Sequence, residues 1–424
     1  MTSSLDSRFP RYTDFDPLVP VWCITPNAGA TMHRFFDTSP ISPSGRYVAL
    51  TRFPFEDRLP APGDVAQIVL VDLDTGEERI VADTRGWDTQ LGAQAQWGAD
   101  DSQLFYNDMD TEAWRPFGVK LDPLTGDGLD LDGTVYMASR DGRWAASPCL
   151  LRTGLTQAGY GVVAPPGRVP HNHGAATDDG LYITDTETGR RRLLVSFAEI
   201  LELATPQLQP AEPTAGAFYG FHVKWTPQGD RLMLVLRWRP DDGGKMGANV
   251  VTMAADGSDI HIAMPADVWG RGGHHPDWHP DGQHVTMNLK LDGTTLRLVQ
   301  ARYDGSDLRV LTDAVLGSGH PSFHPDGRHM VTDSYAREPV AFGDGTTPIR
   351  LIDVEAGTDQ TLVRIRTVPD YEGPKHELRV DPHPAWDRAY RRIAFNACPD
   401  GTHRVYIADL STILDRSPNT RTPE

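Results

Sequence analysis

The chain has 424 residues, a formal net charge of −18 at pH 7 and three cysteines, Cys23, Cys149 and Cys398. Binding to duplex nucleic acid needs a basic protein face that displaces counterions, so this charge argues against a nucleic-acid partner. The longest apolar runs have the length of a strand, which excludes a transmembrane helix and a membrane partner. An anionic ligand would need Arg, His or a metal ion to reverse the acidic field locally.

The N-terminal segment MTSSLDSRFPRYTDFD lacks the basic and apolar regions of a secretory signal. Three cysteines do not form a disulfide framework, because one would remain unpaired. We therefore expect a cytoplasmic protein, or a secreted one if a leader has been removed. The next segment, VPVWCITP (19–26), is strand-like.

One unit then recurs along the chain: a turn related to x-P-x-W-x-P-D-G, a strand, and a second Asp-Gly or Thr-Gly turn. Its first half is found as SPISPSG (39–45), AQWGADD (95–101), YMASRDG (136–142), VKWTPQG (223–229), HPDWHPDG (275–282), HPSFHPDG (320–327) and HPAWDRAY (383–390). The Asp-Gly pairs supply the left-handed residues of tight hairpins. Four antiparallel strands per unit are typical of a β-propeller blade.

The seven copies predict an all-β fold, a seven-bladed β-propeller that forms one domain over residues 1–424. The last copy ends with RVYIADLS near Ser411 and lacks a fourth strand. We expect residues 19–26 to supply that strand, which closes the ring and covers an exposed edge. A solenoid or a β-sandwich is the alternative.

Histidine occupies one equivalent position, three residues before the aromatic anchor of the first strand, in four consecutive blades. These residues are His222, His275, His320 and His383. Because the first strand of a blade lines the central channel, we expect them to form a ring at one mouth. A purely structural role would place histidine in all seven blades, so we interpret this ring as a functional site. Converging imidazoles suit zinc, manganese or a similar ion.

The second strand returns to the same mouth, and side chains an even number of residues apart share one face of it. Ten and twelve residues after the anchor lie Asn107, Val235, Asn288, Asp333, Asn396, Arg237, Lys290, Tyr335 and Cys398. We predict one divalent ion, zinc or manganese with calcium as a third option, bound by His275, His320, His383 and Cys398. Asp333, Asn288 and Asn396 are candidates for further ligands or for supporting hydrogen bonds.

The remaining histidines fall into two classes. His279, His284, His324 and His329 lie in or just after turns, and we interpret them as structural. His171 and His173, in VPHNHG (169–174), lie in a long insertion of blade 3, and Tyr219 follows in AFYGFH (217–222). Irregular loops on a rigid scaffold often carry chemistry. A solvated loop with two incidental histidines is the equal alternative.

With HRFFDTSPISPSGRYVALTR (33–52) and the HPSFHPDG motif, the chain resembles propeller-type polysaccharide lyases. These include ulvan and related rhamnose–glucuronate lyases and, more distantly, oligogalacturonate lyases. The resemblance implies β-elimination at a uronic acid. In that reaction a base removes the C5 proton, a cation or hydrogen-bond donor offsets the carboxylate charge, and an acid protonates the departing O4.

Two family patterns fit different residues. The ulvan-lyase pattern of His, Tyr and Arg is similar to His173, Tyr219 and Arg237, with His171 and Arg239 as competitors. Its other upstream histidine has no counterpart between positions 34 and 170. In the oligogalacturonate-lyase pattern His275 resembles the base, while His320 and His383 resemble metal ligands. The two patterns therefore disagree about His275.

The sequence thus predicts a lyase that converts an acidic oligosaccharide or polysaccharide, its only expected partner, to a 4,5-unsaturated uronate. The catalytic candidates are His171, His173, Tyr219, His222 and Arg237. One alternative is an oligogalacturonate lyase whose ring histidines hold a catalytic metal, and another is a non-catalytic binding propeller similar to TolB. A propeller-type peptidase would need a nucleophile elbow, and no G-x-S-x-G motif is present.

Overall fold

The computed structural model describes residues 4–27, 29–208 and 215–415. Seven four-stranded antiparallel sheets form the blades of a β-propeller, as the repeat predicts. A 3-10 turn (Ser4–Ser7) and strand β1 (Val21–Cys23) precede blade 1. Blade 1 contains β2 (Thr31–Met32), β3 (Tyr47–Arg52), β4 (Ala66–Asp72) and β5 (Glu78–Thr84). Blade 2 contains β6 (Gln96–Trp97), β7 (Leu104–Asp110), β8 (Arg115–Leu121) and β9 (Gly128–Leu131).

Blades 3 and 4 carry three of the four short helices. Blade 3 contains β10 (Met137–Ala138), β11 (Trp144–Ser147), β12 (Gly180–Asp185) and β13 (Arg191–Ser196), with α1 (Leu150–Thr153) inserted and α2 (Phe197–Leu203) following. Blade 4 contains β14 (Gly216–Trp225), β15 (Arg231–Pro240), β16 (Gly247–Ala254) and β17 (His261–Met264), followed by α3 (Ala266–Trp269).

Blades 5 to 7 complete the ring. Blade 5 contains β18 (Gly273–Trp278), β19 (His284–Leu289), β20 (Arg297–Arg302) and β21 (Arg309–Val310). Blade 6 contains β22 (Ser322–Phe323), β23 (His329–Thr332), β24 (Thr346–Asp353) and β25 (Thr358–Arg366). Blade 7 contains β26 (Ala385–Trp386), β27 (Arg392–Ala397) and β28 (Arg404–Asp409), and α4 (Ser411–Leu414) follows it.

The N-terminal strand completes blade 7, which confirms the predicted closure. Strand β1 pairs antiparallel with β28, so that Val21 faces Ala408 and Cys23 faces Tyr406. Between them Trp22 is fully buried, and its indole N–H donates to Asp6 at 2.9 Å. The pairing removes an open sheet edge that would otherwise template association with other chains. In the part of the chain that the structure describes, no helix has the length and apolarity needed to cross a membrane.

The aromatic anchors of the repeat link each blade to the one before it. Four tryptophan Nε1–H groups donate to backbone carbonyls of the preceding blade: Trp97 to Pro40, Trp225 to Met137, Trp278 to Lys224 and Trp386 to Ser322. These bonds measure 2.8–3.2 Å. Because adjacent propeller blades share no strand pairing, such side-chain bonds fix how one sheet sits on the next.

Replacing Trp278 with Phe is expected to lower the free energy of unfolding by about 1 kcal/mol through loss of this bond. Trp238→Phe is a matched control, since Trp238 is also buried but its Nε1 has no hydrogen-bond partner among the described residues. Equilibrium urea denaturation measures the difference between the two variants. Equal costs would show that the tryptophans stabilise the blades by volume alone.

Asparagine side chains also link successive blades, near the mouth of the channel that lies away from these tryptophans. Asn288 donates to the carbonyls of Ser318 and Gly319 at 3.0 and 2.9 Å, and Asn396 accepts the His33 N–H at 3.0 Å. Both amides bind backbone of the next blade. These contacts give Asn288 and Asn396 a structural role between blades, and a further role as metal ligands or as supporting hydrogen-bond partners of the site stays a prediction.

Candidate active site

The four ring histidines converge at one mouth of the channel, as their shared register predicts. The ring centroids of His275 and His320 lie 3.7 Å apart, and those of His320 and His383 lie 4.3 Å apart. Phe35 fills the space between them, with its ring centroid 5.2 Å from that of His222 and 4.7 Å from that of His383. We call these four histidines the histidine ring.

The backbone is kinked where the ring begins. His275 and His383 have φ of 58° and 51°, in the left-handed region that few non-glycine residues adopt. Gln94 holds the same register in blade 2 and has φ of 61°. The kink therefore occurs with glutamine as well as with histidine, and what distinguishes blades 4 to 7 is the choice of histidine at the ring position.

The residues just upstream of blade 1's anchor close the channel between its two mouths. Phe35 lies within the histidine ring, while Phe36 and Asp37 line a separate cavity at the opposite mouth. Lys224 Nζ lies 3.2 Å from Asp37 and 3.4 Å from Asp277, and the Lys224 and Asp37 side chains are almost completely buried. Burial raises the pKa of Asp277 to about 6, although Lys224 opposes this. The HRFFDTS segment thus lies inside the channel and places the Asp37 carboxylate beside the buried Lys224 ammonium group.

Beside the histidine ring lies a cavity of about 280 Å³, which we call the central cavity. Its lining includes His222, His275, Tyr335 and three arginines, Arg237, Arg337 and Arg379. This concentration of cations contrasts with the net charge of −18 on the whole chain. It is the local reversal of the acidic field that an anionic ligand requires.

Arg237 is a half-buried cation without a counter-ion in the described part of the chain. Its guanidinium donates to Thr156 at 3.2 Å and Gln157 at 2.9 Å, and its central carbon lies 3.4 Å from the centre of the Phe221 ring. No acidic group of the described chain pairs with it. Burial lowers the pKa of Arg237 to about 10, which still leaves it charged at neutral pH. A half-buried cation whose hydrogen bonds go only to neutral groups keeps its charge available, so this arrangement favours an anionic ligand.

One ring nitrogen of His275 faces the Tyr335 hydroxyl, and the other bonds a backbone carbonyl. Its Nδ1 lies 2.6 Å from the Gly319 carbonyl, so Nδ1 carries the proton and donates it, and Nε2 keeps a lone pair. The Tyr335 hydroxyl lies 3.3 Å from that Nε2. Burial, and next the charge of His320, hold the pKa of His275 well below its usual value. The imidazole is therefore neutral and able to accept a proton.

His222 occupies the other side of the Phe35 ring. Its Nδ1 forms a short hydrogen bond with the hydroxyl of the buried Tyr136. Burial, followed by the charge of Lys224, holds the pKa of His222 well below its usual value. His222 thus lines the central cavity as a second neutral imidazole.

Three buried residues form a candidate metal group: His320, Asp381 and His383. One ligand atom from each lies within 4.8 Å of those from the other two. His320 Nδ1 bonds the Asp333 carboxylate at 2.9 Å, which leaves Nε2 available. Neither ring nitrogen of His383 has a hydrogen-bond partner among the described residues, although the side chain is 1% exposed. An unsatisfied buried imidazole and a carboxylate-fixed one are what a metal site provides, so these residues fit a divalent ion.

The candidate metal group differs from the predicted ligand set in two respects. Cys398 does not join it within the described structure: the residue is buried, its backbone N–H bonds the Arg366 carbonyl, and burial raises the pKa of its thiol to about 12. His275 stacks on His320 but lies outside the group. Asp381, which was not among the predicted ligands, takes part instead. Blade 7 places this carboxylate two residues before the ring position, where blades 4 to 6 have Gly220, Gly273 and Ser318.

The structure separates His171, His173 and Tyr219 from the central cavity. Both histidines are exposed, and the Tyr219 hydroxyl is buried and accepts the Asn172 N–H at 3.3 Å. Gly174 bridges to Ala217, so the segment lies along the start of β14. The fold therefore does not assemble the pattern of His173, Tyr219 and Arg237, since only Arg237 lines the cavity. The competitor Arg239 is exposed.

The turn histidines bond within their own turns, in agreement with a structural role. His279 and His284 contact Asp281 through Nδ1 at 3.0 and 2.7 Å, and His324 and His329 contact Asp326 in the same way at 3.1 and 2.7 Å. The same contacts recur in two blades, as expected for residues that belong to the repeated hairpin.

Residues that the repeat does not indicate also reach the central cavity, from loops. Arg379 donates to Asp381 at 2.7 Å and to the Tyr160 hydroxyl at 3.0 Å. His274 lies next to His275, with 2.8 Å between their Nδ1 atoms. Arg379 and Tyr160 lie outside the repeated unit, so no register points to them.

No family model and no curated protein matches this sequence. The structure does align with solved structures of other proteins. An oligogalacturonate lyase in complex with manganese aligns with a TM-score of 0.63 at 16% identity, over 95% of this chain and 96% of that chain. An oligogalacturonate lyase from Vibrio parahaemolyticus aligns with a TM-score of 0.64 at 16% identity, over 95% and 96% of the two chains. A TolB protein from Agrobacterium tumefaciens gives a TM-score of 0.38 at 17% identity, over 78% and 94%. The fold of this chain is the seven-bladed β-propeller of oligogalacturonate lyases.

Proposed function

We propose that the protein is a lyase that cleaves an acidic oligosaccharide at a uronic acid by β-elimination. The proposal rests on Arg237, a half-buried cation with no counter-ion among the described residues, which lines the same cavity as the neutral imidazole of His275. β-Elimination needs a cation for the carboxylate, a base for the C5 proton and an acid for O4. The central cavity offers a residue for each of these.

Arg237 is the residue that binds the carboxylate. Arg379 already donates to Asp381, whereas the hydrogen bonds of Arg237 go to neutral groups only. The C5 proton is weakly acidic until the charge of the adjacent carboxylate is offset. A preorganised guanidinium in a buried site stabilises the negative charge that develops as this proton leaves.

His275 is the base, and Tyr335 is the proton donor. His275 Nε2 takes the C5 proton, the electrons of the C5–H bond form the C4–C5 double bond, and the C4–O4 bond breaks. The departing O4 takes the proton of the Tyr335 hydroxyl. Because that hydroxyl lies 3.3 Å from His275 Nε2, the proton on the histidine can then return to the tyrosine.

His320, Asp381 and His383 would hold one divalent ion. When bound, the ion would add positive charge beside the cavity. The chain's own contacts orient these ligands: Asp333 fixes His320, and Arg379 fixes Asp381. An oligogalacturonate lyase of similar fold was solved with manganese, which supports the choice of a divalent metal.

Elemental analysis of the purified protein is expected to find about one divalent ion per chain. His383→Ala removes a ligand and should lose the ion. His324→Ala, which alters a turn histidine outside the metal group, should retain the ion. A folded wild type without metal, or equal metal content in the two variants, would contradict the assignment.

Activity is tested by incubating the metal-loaded protein with ulvan, glucuronan and oligogalacturonate while following ultraviolet absorbance. The conjugated double bond of an unsaturated uronate absorbs, whereas the substrates do not. A rise on one glycan supports elimination and identifies the sugar. A flat trace on all glycans, with uronate binding retained, would favour a binding propeller.

A further inference from the structure

A second cavity adjoins the central cavity and shares four lining residues with it. It has a volume of about 610 Å³ and lies beside blades 5 and 6; we call it the flanking cavity. Gly273, His274, Tyr335 and Arg337 line both cavities. The two cavities are therefore neighbours, and adjacent sugars of one oligosaccharide are the kind of ligand that could occupy both.

Two cations point to the ligand chemistry of the flanking cavity. Lys290 and Arg337 both line it, and neither forms an ion pair within residues 4–27, 29–208 and 215–415. The stem of Lys290 crosses Gly272, where an added Cβ would lie 3.1 Å from Lys290 Cδ. Gly272 has φ of 117°, so glycine at this position serves both the backbone and the lysine. Arg337 lies 5.2 Å from the centre of the Tyr335 ring.

The acidic residue of the flanking cavity, Glu338, does not neutralise these cations. One of its carboxylate oxygens accepts the backbone N–H groups of Tyr335 at 3.0 Å and Gly319 at 3.2 Å. The other lies 3.5 Å from His274 Nε2. The carboxylate thus bonds the turn that carries Tyr335 and pairs with neither Lys290 nor Arg337, so the flanking cavity holds two cations against one carboxylate.

The rest of the lining suits a sugar. Thr294 and Thr295 offer hydroxyl groups, and Leu296 and Leu316 offer apolar surface for the C–H face of a pyranose. A volume of about 610 Å³ lies in the range of small-molecule sites. The combination of hydroxyls, an apolar face and two cations matches a sugar ring that bears an anionic group.

We propose that the flanking cavity is a second anion subsite, in which Lys290 and Arg337 bind the anionic substituent of the sugar next to the one that is cleaved. The substituent is a carboxylate or a sulfate ester. This inference rests on the proposed function of the central cavity. It means that the substrate carries anionic groups on neighbouring sugars, and that an isolated uronate among neutral sugars is a poor substrate.

The test compares Lys290→Met and Arg337→Met with the otherwise wild-type chain, each metal-loaded and full-length. All three carry His275→Ala in the binding titrations, so that no ligand is cleaved, and keep His275 in the kinetic measurements. Isothermal titration measures binding of galacturonate and of saturated digalacturonate, which differ by one charged sugar. The wild type should prefer the disaccharide, and each variant should reduce that preference about fivefold, the value of an exposed ion pair. Lys245→Met is the matched control, since Lys245 donates to the Gly270 carbonyl and lines neither cavity.

A parallel titration with a rhamnose–glucuronate disaccharide, sulfated and desulfated, distinguishes a sulfate from a carboxylate as the second anion. Unchanged preference in both variants, for every pair of ligands, would overturn the subsite. The subsite would also be overturned if each variant lost as much affinity for galacturonate as for digalacturonate, or if the wild type bound none of the ligands. If the preference is lost in the variants but no glycan is cleaved, the proposed function fails and the subsite stands. If glycans are cleaved with the wild-type KM in both variants, the proposed function stands and the subsite fails.

Discussion

His275→Ala is expected to lower kcat on the acidic oligosaccharide by about a thousandfold, as for loss of a general base. The substrate carboxylate stays bound to Arg237, so KM should change little. The reason is geometric: the Gly319 carbonyl holds Nδ1–H, and the opposite nitrogen, Nε2, faces the Tyr335 hydroxyl. Steady-state kinetics on the glycan identified by absorbance measure both constants.

His171→Ala and His173→Ala are the comparison, because both side chains are exposed and neither lines the central cavity. They should keep nearly the wild-type rate. If His173→Ala loses the activity while His275→Ala keeps it, the base belongs to the insertion of blade 3. The pattern of His173, Tyr219 and Arg237 would then be the catalytic one.

Arg237→Ala is expected to lower kcat/KM by about a hundredfold to a thousandfold, the loss typical of removing one preorganised electrostatic donor. Arg237→Lys should recover part of this loss, because it restores the charge without the planar fork of donors. The hydrogen bonds of Arg237 go to Thr156 and Gln157, so its removal strands no buried carboxylate.

Arg239→Ala is the matched control on the same strand, since Arg239 is exposed. It should leave kcat/KM unchanged. Thermal unfolding of both variants checks that the blade is intact. Full activity in Arg237→Ala, or an equal loss in both variants, would contradict a carboxylate-binding role for Arg237.

The propeller could be predicted from the sequence because the same unit of turns and strands recurs seven times along the chain. Each blade carries its own Asp-Gly turns and aromatic anchor, and the missing strand of the last blade indicated the role of β1. The histidine ring was found in the same way. Once the blades are aligned on Trp278 and its equivalents, the shared register places four imidazoles at one mouth.

The metal group was predicted only in part, because its third member is specific to blade 7. Asp381 replaces a glycine or serine of the other ring blades, and a search for repeated features overlooks it. Cys398 fails for a different reason. It follows the end of β27 at Ala397, where strand alternation no longer determines the direction of a side chain. Tyr335 also follows its strand, but the bond of Glu338 to its backbone N–H fixes the turn beside His275.

The exposure of His171 and His173 depends on how their segment lies along β14, which local sequence does not specify. Arg379 reaches the central cavity from the connection between β25 and β26, and Tyr160 from the insertion of blade 3. Such contacts between connections of different blades arise from the closed ring. They follow from tertiary structure, and no spacing in the sequence predicts them.

Elimination in the central cavity is tested most directly by the masses of the reaction products. Elimination breaks the C4–O4 bond without adding water, so the masses of the two products should sum to the mass of the substrate. One product should carry the unsaturated uronate, and His275→Ala should slow the appearance of both products by about a thousandfold. Products whose masses sum to the substrate plus one water would show hydrolysis and would contradict a lyase mechanism.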